Sequence, residues 1–175
     1  VSLGLVVWIT GLPSSGKSTL ARATRAALRA RGRAAVLLDG DEVRASLVPA
    51  PGYDDDGRAA FYETLTRLAV LLAGQGMDVL VAATAHRRTI RDAARRAAGD
   101  RFVEVHVATS IEECRRRDDK GLYAASLRGA VVTLPGPGAD YEPPARPEIV
   151  ARGGEDTNAL AEIVERVLSG ASRRP

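Results

Sequence analysis

Apolar runs of strand length recur at residues 5–9, 34–38, 79–83 and 102–107, and Ala/Arg/Leu stretches with helical spacing separate them at 19–30, 58–73, 89–98 and 111–117. A last helical pattern covers 158–168, with Asp156 or Thr157 placed to cap it. The strand runs are apolar throughout instead of alternating, which predicts strands buried on both faces. Strands alternating with helices then give an α/β three-layer sandwich, a parallel sheet covered by helices on both sides. Ligands of such sheets lie beyond the carboxyl ends of the strands, so the residues that follow each strand are the ones to read. Residues 118–147 break the pattern: Gly121, Gly129, Gly136 and Gly138 accompany Pro135, Pro137, Pro143, Pro144 and Pro147. That composition predicts a lid or extended arm over a site. We expect one domain over 1–170, with a short tail at 171–175 and no internal repeat.

The first apolar run breaks into Gly11-x4-Gly16-Lys17-Ser18 and then a helical pattern. Strand, glycine-rich turn and helix in that order form a P-loop, in which backbone N–H groups and a helix N-terminus face a phosphate chain. Gly11, Ser14, Ser15, Gly16, Lys17, Ser18 and Thr19 are the expected nucleotide contacts, with Lys17 reaching the β/γ-phosphates and Ser18 holding Mg²⁺. Such a pattern arises by chance in only about 1 in 100 chains of this size. The chain is therefore expected to bind a nucleoside triphosphate, with ATP and Mg²⁺ as cofactors, on a fold of the P-loop NTPase type.

After the second strand run come Asp39, Gly40 and Asp41. In a strand, carboxylates at i and i+2 point the same way, here toward the phosphates. Phosphoryl transfer needs a metal at the β/γ oxygens and a carboxylate for the acceptor hydroxyl, and the two aspartates suit those roles in either order. Asp41 also suits the cap of a following helix, with Val43 and Leu47 as its buried face, and the two roles are compatible. Arg44, one turn on, either enters the cleft or lies on a solvated face. The Asp54-Asp55-Asp56 run lacks calcium-loop spacing and reads as a solvated turn. His86, Arg87 and Arg88 follow the third strand run, where basic groups suit an acceptor phosphate. His106 and Cys114 read as packed structural residues.

Of the 175 residues, 45% are hydrophobic but only 4% aromatic, so the core must be built from Ala, Val and Leu. A net charge of +3 comes from arginines scattered along helices, which gives no support to a nucleic-acid surface. The single cysteine rules out an internal disulfide and suits a reducing cytoplasm. The apolar start lacks a basic flank and runs straight into the glycine-rich turn, so a secretory leader is not expected. No apolar run approaches the ~18 residues of a membrane span.

Taken together, GLPSSGKSTLA, LLDGDEVR, RRRDDKGLYAASLRG and YEPPARPE resemble, in order, the signatures of adenylyl-sulfate (APS) kinases, over residues 5–157. The resemblance implies transfer of phosphate from Mg·ATP to the 3′-hydroxyl of adenosine 5′-phosphosulfate. It implies ATP phosphates on residues 11–19, metal-orienting and base-like roles for Asp39 and Asp41, and acceptor contacts from Arg44 and Arg58. It also implies that Arg117 lies against the adenine of ATP and that Lys120 acts near the transferring phosphate as the lid closes. Members of that family are often dimers, so a homodimer is an expectation that no feature of this chain fixes.

Departures cluster on the acceptor side. Where the family has Phe-Ser-x-x-Asp-Arg-x-Glu-Asn, this chain has Tyr53-Asp54-Asp55-Asp56-Gly57-Arg58-Ala59-Ala60-Phe61. The family's Ile-Ser-Pro-Tyr-Arg is replaced by Thr84-Ala85-His86-Arg87-Arg88, and Leu134 stands where a stacking phenylalanine is expected. Tyr53, Phe61, His86 and Arg87 are the candidate compensating groups, beside the retained Arg44, Arg58 and Arg88. The expected acceptor is thus a small anionic hydroxyl compound, APS first, with another nucleotide or a specialised-pathway metabolite as the alternative. A guanine-reading Asn-Lys-x-Asp is lacking, which argues against a nucleotide switch. Intact Lys17, Ser18, Asp39 and Asp41 argue against a silent relative.

Overall fold

The computed structural model describes residues 3–118, 121–128 and 141–172. Strands β1 (Val6–Thr10), β2 (Ala35–Asp39), β3 (Asp78–Ala82), β4 (Phe102–Val107) and β5 (Ile149–Ala151) form one sheet in the order β2-β3-β1-β4-β5. Every pairing is parallel. Helices α1 (Lys17–Ala30), α2 (Gly40–Ser46), α3 (Asp55–Gly74), α4 (Arg88–Ala98), α5 (Ile111–Arg117), α6 (Leu122–Leu127) and α7 (Thr157–Ser172) complete the fold. The expected α/β sandwich is present.

Strand alternation divides the core in two. Val7 and Ile9 of β1, with Val103 and Val105 of β4, pack against Leu20 and Leu28 of α1 and Ile163 and Val167 of α7. Val6 and Trp8 face the other way, onto Phe61, Leu65 and Ala69 of α3 and Ala94 and Ala98 of α4. The central strand is therefore buried along its whole length, which is why it reads as unbroken apolar sequence.

Three elements depart from the expected pattern. β5 has three residues, too few to show a period, and exists because it adds to the edge of β4. Helix α6 lies inside the segment expected to be loop. Its first turn is held by Asp118, whose carboxylate accepts from the backbone N–H groups of Tyr123 and Ala124. Helix α3 starts three residues early: Asp54 caps it by accepting from Gly57 N at 2.6 Å, and Asp55 and Asp56 sit in its first turn. The aspartate run is thus a helix start, where anions complement the helix dipole. Among the described residues, no helix is long and apolar enough to cross a membrane.

Leu65 is fully buried between α3 and the sheet. Leu65→Ala should therefore lower unfolding free energy by about 2–5 kcal/mol, read from urea denaturation; a loss under about 1 kcal/mol would contradict this packing.

Candidate active site

The phosphate loop is shaped by where its carbonyls go. Lys17 Nζ donates to Gly11 O (3.1 Å) and Leu12 O (2.7 Å). Tyr123 Oη donates to Pro13 O (2.9 Å), Thr109 Oγ1 to Ser15 O (2.8 Å), and Leu20 N to Gly16 O (3.0 Å). A trans peptide points its C=O and N–H in opposite directions, so anchoring Pro13 O and Ser15 O outward turns the Ser14 and Gly16 amides inward. Ser14 (φ 59°) and Gly16 (φ 102°) provide the left-handed turns that this curl needs. Gly16 also lies against Gly154, where a methyl group would meet Gly16 O at 2.6 Å. Sequence reasoning missed Thr109, Tyr123 and Gly154; the Gly153-Gly154 pair was the available signal.

Asp39 is the last residue of β2 and is buried. Ser18 Oγ donates to its Oδ2 at 2.5 Å, and the Asp41 N–H donates to its Oδ1 at 3.1 Å. Asp39, not Asp41, is therefore the cap of α2. This corrects the expectation of two carboxylates side by side on a strand. The chain turns helical at Gly40, so Asp41 occupies the exposed first turn of α2 while Asp39 looks back at Ser18. A hydroxyl and a carboxylate in contact at the foot of the phosphate loop are hard oxygen donors of the kind Mg²⁺ prefers.

The expected acceptor residues fall in two groups. Arg44 is buried: its Nη1 donates to Pro51 O (2.9 Å) and Gly52 O (2.7 Å). Its guanidinium carbon lies 3.9 Å from the Phe61 ring centre and 4.5 Å from that of Tyr53, a ring–cation–ring stack. This excludes the solvated-face reading. Tyr53 is the exposed ring of the stack, whereas Phe61 is buried beneath Arg44 as part of the α3 core. Arg58 Nε donates to Tyr53 O at 2.7 Å, closing this group.

His86, Arg87 and Arg88 leave β3 together. His86 is buried, and desolvation, aided by the nearby Arg58 and Arg87 cations, lowers its pKa against the pull of Asp55 and Glu142. Arg87 pairs with Asp55 at 3.7 Å, and the Arg88 N–H donates to Glu142 Oε2 at 2.7 Å. Arg117 is held by Glu113 (2.9 Å) and sits over Gly16 and Gly153 beside the phosphate loop. Lys120 and Leu134 lie outside the described residues.

The two residues read as structural are so placed. Cys114 is a buried free thiol packed with Tyr123, and burial raises its pKa. His106 stacks on Tyr141 with ring centres 6.0 Å apart. Burial, with Arg91 nearby, lowers its pKa.

Comparison with known proteins places this geometry in context. A family model described as adenylylsulphate kinase matches residues 3–152. The adenylyl-sulfate kinase of Picosynechococcus sp. is 37% identical over 165 residues, covering 94% of this chain and 92% of the relative. The Mycobacterium tuberculosis APS kinase solved in complex with AMPPNP and APS superposes with a TM-score of 0.89 at 34% identity, covering 97% of this chain and 99% of that one. A hexameric APS kinase from Thiobacillus denitrificans superposes with a TM-score of 0.63 at 28% identity, over 98% of this chain and 29% of that one.

Two predictions follow from the packing and the charges of the site. A methyl at position 154 would also approach the Thr19 Cβ to 3.0 Å, so backbone must yield. Gly154→Ala should weaken AMPPNP binding roughly tenfold, about 1.4 kcal/mol; unchanged affinity by calorimetry would refute the Gly16–Gly154 coupling. Both histidines have lowered folded pKa values, so below about pH 6.5 the unfolded chain binds protons that the folded one refuses. Stability should fall as pH drops from about 7 toward 5. His86→Gln with His106→Gln should flatten that slope in urea midpoints, and an unaltered slope would count against it.

Proposed function

The chain belongs to the adenylylsulphate kinase family, and on that footing we propose that it phosphorylates the ribose 3′-hydroxyl of adenosine 5′-phosphosulfate with ATP. It is a P-loop kinase, a phosphotransferase with an alcohol group as acceptor. The observation that supports the substrate reading is the common edge of the sheet, which carries both the curled phosphate loop and α2, with Asp39 against Ser18 and the Arg44 guanidinium immobilised beside Phe61.

The loop amides and Lys17 bind the ATP phosphates, and Arg117 lies against the adenine. Ser18 and Asp39 are the residues that would hold Mg²⁺, which when bound neutralises charge on the β/γ oxygens. Asp41, exposed on the first turn of α2, accepts the proton of the acceptor hydroxyl. Arg44 and Arg58 take the acceptor's anionic groups, and His86, Arg87 and Arg88 line the same side. Tyr53 offers the open ring face in place of the family's phenylalanine, so the substituted segment keeps a stacking surface. Lys120 and Leu134 lie outside the described residues; by the resemblance alone, Lys120 would act near the transferring phosphate. A reducing cytoplasm suits the buried free Cys114. Self-association, as a homodimer or a larger assembly, belongs to the same reading, given the hexameric Thiobacillus denitrificans relative.

The deciding assay is ADP release from Mg·ATP with and without APS, with the product identified by mass spectrometry. APS-dependent release with a 3′-phosphorylated product is expected; AMPPNP binding without APS turnover would overturn the assignment. Lys17→Ala should abolish transfer. Asp41→Ala should lower turnover about 10²–10⁴-fold while ATP affinity changes little, and near-native turnover would remove Asp41 as the base.

A further inference from the structure

The peptide that turns the chain out of β3 is held by two groups that the roles above leave unused. Ala85 has φ of 42°, in the left-handed region that L-residues avoid because Cβ crowds the following carbonyl. It is completely buried, and both of its backbone polar groups are engaged. Its N–H donates to Tyr62 Oη at 2.9 Å, and its carbonyl accepts from Arg91 Nη1.

Arg91 is itself only 2% exposed, unlike Arg88 and Arg96 on the same helix. Its Nε donates to Glu104 Oε1 at 2.8 Å and its Nη2 to Glu142 O at 2.5 Å. One guanidinium thus joins the loop after β3, the middle of β4 and the segment entering β5. Glu142 tightens the joint: its N–H donates to His86 O at 2.8 Å and its Oε2 accepts from Arg88 N. Beside it, Thr10 Oγ1 donates its one proton to Thr84 O, so Tyr141 Oη donates to Thr10 across 3.1 Å.

We propose that Arg91 and Tyr62 are positioning residues that clamp Ala85 in its left-handed conformation and so present His86, Arg87 and Arg88 to the acceptor. The proposal rests on the acceptor-side reading given above. A left-handed non-glycine residue persists only where its surroundings over-determine it, and such residues gather at functional sites. A buried ion pair is also weak evidence of a purely stabilising role, because apolar packing often serves as well. The clamp acts on the acceptor side because the phosphate-loop carbonyls are held by Lys17, Tyr123 and Thr109 instead.

Tyr62→Phe deletes only the oxygen that accepts the Ala85 N–H. Arg91→Lys keeps a cation beside Glu104 but cannot serve Glu104, Ala85 and Glu142 together. Each variant should raise KM for APS roughly tenfold, with AMPPNP affinity within about twofold of the parent and kcat reduced less than KM is raised. Amide hydrogen exchange at residues 85–88 and 142 should accelerate, while the amides of β1 and β4 keep their protection. If KM for ATP and APS rise together, or exchange at 85–88 is unchanged, the clamp is refuted. A parent protein that leaves APS untouched would sink the substrate assignment alone, because the exchange measurement needs no acceptor. If Arg91→Lys fails to fold, Tyr62→Phe decides by itself.

Discussion

Parallel pairing is the constraint on which everything else in this molecule depends, because it brings the carboxyl ends of all five strands to one edge. The register makes the edge nearly level: Asp39 stands beside Ala82, Ile9 beside Ala82, Thr10 beside His106, and Val107 beside Ala151. Residues distant in sequence therefore emerge together. Gly11 starts the phosphate loop, Asp39 turns into α2, the 84–88 loop leaves β3, and Thr109 reaches across to Ser15 O. Had any strand run the other way, its site residues would lie about a strand's length away.

The edge is then shaped by accounting for backbone groups. The carbonyls of Gly11, Leu12, Pro13, Ser15 and Gly16 each have a donor from the protein, two of them from the sequence-distant side chains of Tyr123 and Thr109. The same logic recurs at Ala85, where Tyr62 and Arg91 take the two polar groups of one strained residue. Asp39 serves twice, as the cap of α2 and as the partner of Ser18, so the start of one helix and the foot of another are set by a single carboxylate.

Features carried by local chemistry were legible in the sequence. The phosphate loop, the four long strands and the helices around them follow from short-range pattern. The choice between Asp39 and Asp41 as cap was not, because it depends on which residue is the last to keep strand dihedrals before Gly40. Three-residue β5 has no period to read and is fixed by its neighbour. Arg91 was hidden by abundance: α4 carries Arg88, Arg91, Arg95 and Arg96, and composition ranks them equally. Its spacing to Ala94 and Ala98, the buried stripe of the helix, was the overlooked sign. Phe61 illustrates the converse, since a residue flagged for the cleft supports Arg44 from below.

That stack has a meaning for how the protein can change over time. A surface arginine carries about 2 kcal/mol of rotamer freedom that any bound anion must quench. Arg44 has given up that freedom already, during folding, to two carbonyls and two rings. The entropy cost of ordering this guanidinium is thus met at folding, before any ligand arrives. Drift in Tyr53 or in the backbone at 51–52 would then alter how Arg44 is held without altering any charged group. Arg44 and residues 51–61 accordingly form one unit, in which a change at any member alters the hold that the others keep on the guanidinium.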